Sequence, residues 1–334
     1  MIHNKSRRGR LPREQIYRRL EEAVSELHER FGGLPSPVEA EDIWTSIWYQ
    51  EAHHSTALEG NTLVLKQVEA LLNQGLAVGN KELREYLEVT GYAAAAKWVY
   101  GQALEAGEWD PRAPISLTEV RHIHELAIGP VWEVAPHRQA TPQERPGGFR
   151  RHDIHPFPGG MTPLPWVEIE GAMADWVSSL STISTSDNPI ESMAEAHGGF
   201  ERIHPFLDGN GRTGRLLLNL LLVRSGYPPA VIYMRDRNRY LKALTRADEG
   251  DPGPLGELIG RSVTDNLYSF VVPAVAGPNR LVPLASLSTK ERPVAALRMA
   301  IERGRLKAQK GSDGQWRSTR AWLDEYVSSL YKRH

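Results

Sequence analysis

The chain has 334 residues, with 40 Lys and Arg against 41 Asp and Glu, a net charge of −1 and no cysteine. That length supports a large core and leaves room for a second, smaller unit, while the absence of cysteine excludes disulfides and thiolate chemistry. The near-zero charge hides an uneven distribution: residues 281–334 carry 11 Lys/Arg against 5 Asp/Glu, a balance of +6 that leaves −7 for residues 1–280.

Met1 to Arg13 is polar and basic, without the apolar stretch of a signal peptide. The longest apolar run, Leu216 to Val223, is too short to cross a bilayer and contains Asn219. The expectation is a cytoplasmic protein that uses no membrane. Most of the chain then carries a helical period. Ile43, Trp44, Ile47, Trp48 and Ala52 form one face over 41–58, and Val64, Val68, Leu71 and Leu72 repeat the pattern downstream. A long helix is expected from Lys81 to Gln102, with Ala93 to Ala96 allowing close packing. Another follows Ile115-Ser116, with Val120, Ile123, His124, Leu126 and Ala127 facing inward. Residues 135–165 are rich in Pro and Gly and read as a loop with a short hairpin. This loop contains His155-Pro156-Phe157, which has no carboxylate or arginine after it and is given no catalytic role. Met193, Ala196, Phe200 and Ile203 share the face of a helix that ends at His204.

The stretch Ile203-His204-Pro205-Phe206-Leu207-Asp208-Gly209-Asn210-Gly211-Arg212-Thr213-Gly214-Arg215 carries the chemistry. Gly209 and Gly211 can take φ > 0 and let successive N–H groups converge on an anion. The apolar helix that follows puts this turn at a helix N-terminus, where the dipole also favours negative charge. Arg212 and Arg215, at i and i+3, point to neighbouring positions on that helix. Asp208 is a hard oxygen ligand suited to Mg²⁺ against the same phosphates.

His204-Pro205-Phe206-x-Asp208-Gly209-Asn210-Gly211-Arg212-x-x-Arg215 resembles the signature of the Fic (Fido) family, matching at every defining position. Ser55-Thr56-Ala57-Leu58-Glu59-Gly60-Asn61 resembles the inhibitory motif that some Fic proteins carry on a helix N-terminal to the core. Gly226-Tyr227-Pro228-Pro229 and the stretch Tyr240 to Asp251 follow the family's usual continuation. The resemblance covers roughly 40–270. It implies a mainly α fold: a Fic-type helical bundle with a β-hairpin flap around Met161-Thr162-Pro163 that docks a target segment. In the C-terminal part, Arg303-Gly304-Arg305-Leu306, Trp316-Arg317 and Thr319 to Tyr326 are similar to small winged helix-turn-helix modules of the excisionase type. The expected organisation is a helical N-terminal region over 1–110 with the inhibitory helix at about 41–60, a Fic core over 111–271, a linker over 272–280 and a winged-helix-like domain over 281–334.

The activity implied is transfer of AMP from ATP to a Ser, Thr or Tyr hydroxyl of a protein, with release of pyrophosphate. His204 takes the hydroxyl proton. The N–H groups of the Gly209, Asn210, Gly211 turn stabilise the α-phosphate. Asp208 holds Mg²⁺, Arg212 binds the β-phosphate and Arg215 the γ-phosphate. Tyr240 either stacks on adenine or packs as an ordinary core residue. Glu59 pairs with Arg215 and takes it from the γ-phosphate, while Ser55 holds the inhibitory helix against the motif helix. The same residues also suit a de-AMPylating hydrolase that uses Glu59 to align water. Other Fic relatives transfer UMP, phosphocholine or phosphate, and the motif does not separate these donors. A reading from another class is a nucleotide-sensing, DNA-binding regulator, since the +6 C-terminal segment suits either a DNA backbone or a protein surface. The partners implied are ATP, a protein target that includes the chain itself among the candidates, DNA through the C-terminal module, and a second copy of the chain as a homodimer.

Overall fold

The computed structural model describes residues 11–35, 40–104, 110, 112–155, 161–311 and 314–331. In chain order the helices are α1 (Arg13–Phe31), α2 (Glu41–Leu58), α3 (Leu65–Gln74), α4 (Leu83–Leu104), α5 (Leu117–Trp132), α6 (Ile169–Ser179), α7 (Pro189–Ile203), α8 (Asn210–Arg224), α9 (Arg237–Asp248), α10 (Gly253–Asn266), α11 (Val272–Val275), α12 (Val294–Glu302) and α13 (Arg320–Tyr331). Three short strands, β1 (Val282–Pro283), β2 (Gln309–Lys310) and β3 (Trp316–Ser318), form an antiparallel sheet in the order β1-β3-β2. No helix among the described residues is long and apolar enough to cross a membrane.

The bundle is organised around α8. Every residue of α8 except Gly211 is buried, the environment expected for a helix that is apolar on all sides. α4 and α5 pack on it from one direction and α7 from another. The close approach of α4 to α5 depends on Gly91, where an added Cβ would stand 2.5 Å from the carbonyl oxygen of Ala127. Local signals explain the helix starts. Ser116 caps α5 by accepting from the N–H of Glu119, whose carboxylate accepts from the N–H of Ser116 at 2.7 Å. Asn188 caps α7, with Pro189 in the first turn.

One polar network crosses the apolar core. Glu51 of α2 accepts from the hydroxyls of Tyr92 (2.7 Å) and Tyr100 on α4, and from the side-chain amide of Asn219 on α8 (2.8 Å). Asn219 also closes a pair of hydrogen bonds with the backbone of Ala230. Burial pushes the Glu51 carboxyl up, against the three donors that hold it down. With Trp44, Ile47 and Ala52 fully buried on the same helix, α2 is part of the core and not an appendage.

Three expectations need correction. Val64 is exposed and stands before α3, which keeps Val68 as its buried residue. No strand forms among the described residues of 135–165; positions 156–160, including two of the three His155-Pro156-Phe157 residues, lie outside the description. Arg150 organises the described part of this loop. Its guanidinium is fully buried and donates to the carbonyls of His152 (3.0 Å), Leu164 and His204 (2.9 Å), and its N–H donates to Pro205 O. Arg150 therefore ties the two ends of the loop to each other, at His152 and Leu164, and both to the motif turn. Finally, the segment read as a linker is helical over Val272–Val275. It continues α10 through a π-helical turn at Leu267–Val271, with Val271 and Val272 buried.

That continuation leads into a second apolar cluster. Leu267, Val271, Leu284, Leu287, Leu297 and Leu323 pack there with Ala23 and Leu27 of α1. α1 also gives Tyr17, Leu20 and Val24 to the main core, so it serves both clusters. Arg317 of β3 forms a bidentate pair with Glu26 of α1 at 2.5 and 3.0 Å, and Lys307 pairs with Glu325 at 2.8 Å.

Candidate active site

The turn between α7 and α8 is held in an unusual backbone. His204 caps α7 at φ 52° and is the one non-glycine residue with positive φ among the described residues. A histidine in the left-handed region costs energy, and the cost is met by contacts around it. Its N–H donates to Phe200 O and its carbonyl accepts from Arg150 Nε. Asn210 clasps the turn, accepting from the N–H of Phe206 and donating to Phe206 O, both at 2.8 Å. Gly209 sits at φ 79°, and an added Cβ would lie 2.4 Å from Ile128. The first N–H groups of α8 therefore open onto the turn, where no preceding helical carbonyl can pair with them.

His124 of α5 supports the same turn from below. Its Nδ1 accepts from Gly147 N (2.8 Å), so its Nε2 carries the proton and donates to Asp208 O (2.9 Å), while the ring stacks on Phe206 at 3.7 Å. Burial holds His124 down to about 4, so it stays neutral.

A cavity of about 320 Å³ opens over the turn. His204, Asp208, Gly209, Asn210, Gly211 and Arg215 line it, joined by Leu58, Glu59, Glu201, Leu207, Arg237, Tyr240, Leu241 and Leu244. The motif residues and the α2 terminus thus share one space, although about 150 positions of sequence separate them. His204 Nδ1 lies 3.1 Å from Glu201 O, and a carbonyl can only accept, so Nδ1 carries the proton and Nε2 holds the lone pair. Burial lowers the imidazole to about 4, which keeps it in the basic form at neutral pH. Asp208 accepts from Gly209 N (2.6 Å) and from Arg212 Nη2 (3.1 Å), with Arg84 at 3.9 Å. Burial alone would raise its carboxyl, but Arg212, the Gly209 N–H and Arg84 together hold it below the usual range.

Arg215 is buried and donates three hydrogen bonds: Nε to Ser55 Oγ (2.7 Å), and Nη2 to Ser55 O (3.0 Å) and to Glu59 Oε1 (2.8 Å). Burial opposes its charge, yet Glu59 and the surrounding tyrosines and Glu201 hold the guanidinium firmly protonated. Glu59 is likewise kept ionised: burial pulls its carboxyl up, and Arg215 and Arg212 pull it down further. The pair fits against α8 because position 211 is glycine; a Cβ there would stand 2.5 Å from Glu59 Oε1. Arg212 is also buried but is not on the cavity wall. Its Nε and Nη1 have no hydrogen-bond partner, and Glu88 lies 4.0 Å away. Tyr240 lies under the cavity, 3% exposed, and its hydroxyl donates to His197 Nε2 at 2.7 Å.

Sequence reasoning did not single out Arg150, His124 or Glu201 as parts of the site. Arg150 and His124 act on backbone carbonyls far away in sequence, and no local spacing announces such a contact.

Residues 114–222 match the family model described as Fic/DOC, a span that runs from just before α5 into α8 and includes the whole turn. The chain carries a Fic/DOC domain. Among curated proteins it is similar to protein adenylyltransferase fic-1 of Caenorhabditis briggsae, 30% identical over 259 residues, 77% of this chain and 48% of that protein. It is also similar to protein adenylyltransferase Fic of Drosophila willistoni, 33% identical over 249 residues, 73% of this chain and 45% of that protein. The chain thus spans about half the length of the curated relatives it matches. Among solved structures, a fragment of Fic-1 from C. elegans superposes with a TM-score of 0.63 at 28% identity, covering 77% of this chain and 71% of that one. A Fic family protein from Desulfovibrio desulfuricans G20, at 21% identity, shares the fold with a TM-score of 0.56 over 93% of this chain and 97% of that one.

Proposed function

We propose that this Fic-domain chain is a protein adenylyltransferase restrained by its own Glu59. The observation that carries the reading is one cavity holding a neutral imidazole with its lone pair on Nε2, the N-terminus of α8, and an arginine occupied by a carboxylate from α2. The names of the similar proteins point to the same reaction.

In this reading a Ser, Thr or Tyr hydroxyl of the target loses its proton to His204 Nε2 as its oxygen bonds to the α-phosphorus of ATP. The bond from that phosphorus to the bridging oxygen breaks, and pyrophosphate leaves with the electron pair. The N–H groups of Asn210 and Gly211, at the start of α8, would face the charge that gathers on the α-phosphate, while that of Gly209 is held by Asp208. Asp208, an ionised carboxylate on the cavity wall, would hold Mg²⁺, which when bound neutralises charge on the α- and β-phosphates. Among the described residues no cluster of three or more His, Cys, Asp or Glu stands together, so Asp208 is the residue that would hold the ion. Arg212, with two buried nitrogens lacking partners, suits the β-phosphate. Arg215 suits the γ-phosphate once Glu59 releases it. Leu241, Leu244 and the Tyr240 edge supply an apolar wall for adenine.

Incubating the Glu59→Gly chain with ATP labelled on the α-phosphate and with cell lysate tests this. Labelled protein bands, stronger than with the parent and absent with His204→Ala, are expected. No label transfer by a folded Glu59→Gly chain would sink the reading. The second reading, a hydrolase that removes AMP, keeps its place because Glu59 faces the same cavity as His204. Release of AMP from a modified protein, lost with Glu59→Gly, would identify it. DNA binding finds less support: Arg317 and Lys307, two of the basic residues behind that expectation, are engaged by Glu26 and Glu325.

A further inference from the structure

Glu201 stands in the last turn of α7 and takes no part in the chemistry assigned above. Its side chain is 5% exposed, and its Oε1 is buried with no hydrogen-bond partner. A buried carboxylate oxygen without a donor is rare, because its lost hydration is not replaced. Glu201 as a residue lines the same cavity as His204, Glu59 and Arg215, while its Oε1 faces α8. Space for it is made by Gly214, where a Cβ would stand 2.5 Å from Oε1. The charge of Arg215, the next residue on α8, acts on the Glu201 carboxyl and favours its ionised form.

We propose that Glu201 is a binding residue for the terminal phosphate of ATP, donating a hydrogen bond from its neutral carboxyl to a phosphate oxygen beside Arg215. The proposal rests on the adenylyltransferase reading and refines it. In the ionised form the same side chain would set a negative charge against the triphosphate, so ATP binding draws a proton onto Glu201. The groups facing it permit this exchange. Arg215 on α8 favours ionisation and Glu59 at the end of α2 opposes it. Tyr240 and Arg237 on α9 close the cavity, and His197 and His204 on its own helix stay neutral. Burial leads the balance and raises the carboxyl to about 7, so both forms are accessible near neutrality. A nucleotide that ends at the α-phosphate leaves Glu201 unengaged. The residue thus distinguishes ATP from AMP by charge.

The test measures dissociation constants for ATP and for AMP with the full chain carrying Glu59→Gly, with and without Glu201→Gln. With Glu201 present, ATP affinity should fall roughly tenfold or more between about pH 6.5 and about pH 8.5, and AMP affinity should not follow. In the Glu201→Gln chain, where the amide cannot ionise, that extra slope should vanish. The glutamine variant also carries any titration of the nucleotide itself, so the difference between the two curves isolates Glu201. Calorimetry of the Glu59→Gly chain in buffers of different protonation heat provides a check that leaves Glu201 unaltered. Uptake of nearly one proton per ATP at about pH 8, and none per AMP, is expected. ATP curves that superpose with and without Glu201, or no proton uptake, would overturn the assignment while leaving the nucleotide pocket intact. Failure of both nucleotides to bind would remove the adenylyltransferase reading and Glu201's role with it.

Discussion

On the proposed reading, the imidazole of His204 is a base by placement. Its proton is fixed on Nδ1 by a backbone carbonyl, and burial keeps the ring neutral down to about 4. The sign follows directly: the active form is the unprotonated one, so turnover is full above that value and is lost as pH falls through it. With the Glu59→Gly chain at saturating ATP, kcat should stay flat down to about pH 5, whereas an exposed histidine would begin to lose activity near 6.5. An acid limb centred between 6 and 7 would show that the base is not this buried imidazole. The Glu59–Arg215 pair makes a different prediction. If Glu59 acts by occupying Arg215, removing it releases little once Arg215 is gone. The Glu59→Gly/Arg215→Ala double variant should therefore be about as slow as Arg215→Ala alone. Additive effects on the logarithm of the rate, measured across all four proteins, would mean that Glu59 restrains the enzyme by another route. The motif and the stretch at 55–61 stood out in sequence because the first is contiguous and the second has its own spacing. Glu201 did not. An acidic residue at a helix end is ordinary in sequence, and its significance comes from a neighbouring helix whose glycine leaves it room.

Among the elements, α2 is more deeply committed than an inhibitory helix needs to be. Glu51 joins it to α4 and α8 through Tyr92, Tyr100 and Asn219. Glu51→Ala strands two tyrosine hydroxyls and an amide in a dry core, a loss of about 3–5 kcal/mol. A fall in melting temperature of roughly 4–7 °C is expected, at about 1.4 °C per kcal/mol for a chain of this size. A fall below about 2 °C would show that the network contributes little. Helix positions were readable from apolar spacing to within a few residues, since burial of one face imposes the period. The described part of the loop at 135–165 was not, because Arg150 holds it through contacts to carbonyls from three segments of chain.

Across the whole molecule, the two apolar clusters share α1, and α10 runs into α11 without a break. The composition around 272–280 suggested a tether, and Pro273 does favour a break. Yet proline is tolerated in the first turn of a helix, and Val271 and Val272 bury where a tether would stay wet. Units joined this way should unfold together. Scanning calorimetry of the full chain is expected to give one transition with matching calorimetric and van't Hoff enthalpies. Two resolved transitions would show that the C-terminal part, residues 281–334, folds as an independent domain.

Glu59 ends a helix that cannot leave, and its own side chain is 42% exposed although its partner Arg215 is buried. What lifts is therefore a side chain and not an element. An ion pair with one partner this open to water holds by about 0.2–1 kcal/mol, a factor of roughly 1.4–5. The restraint from Glu59 is then a leak more than a lock. A resting population of molecules has Arg215 released from Glu59 and still held by Ser55, and these exchange on the fast timescale of rotamer hops. On the proposed reading, the chain at rest would still slowly modify whatever target lies nearest, so the steady mark would depend on how quickly it is erased.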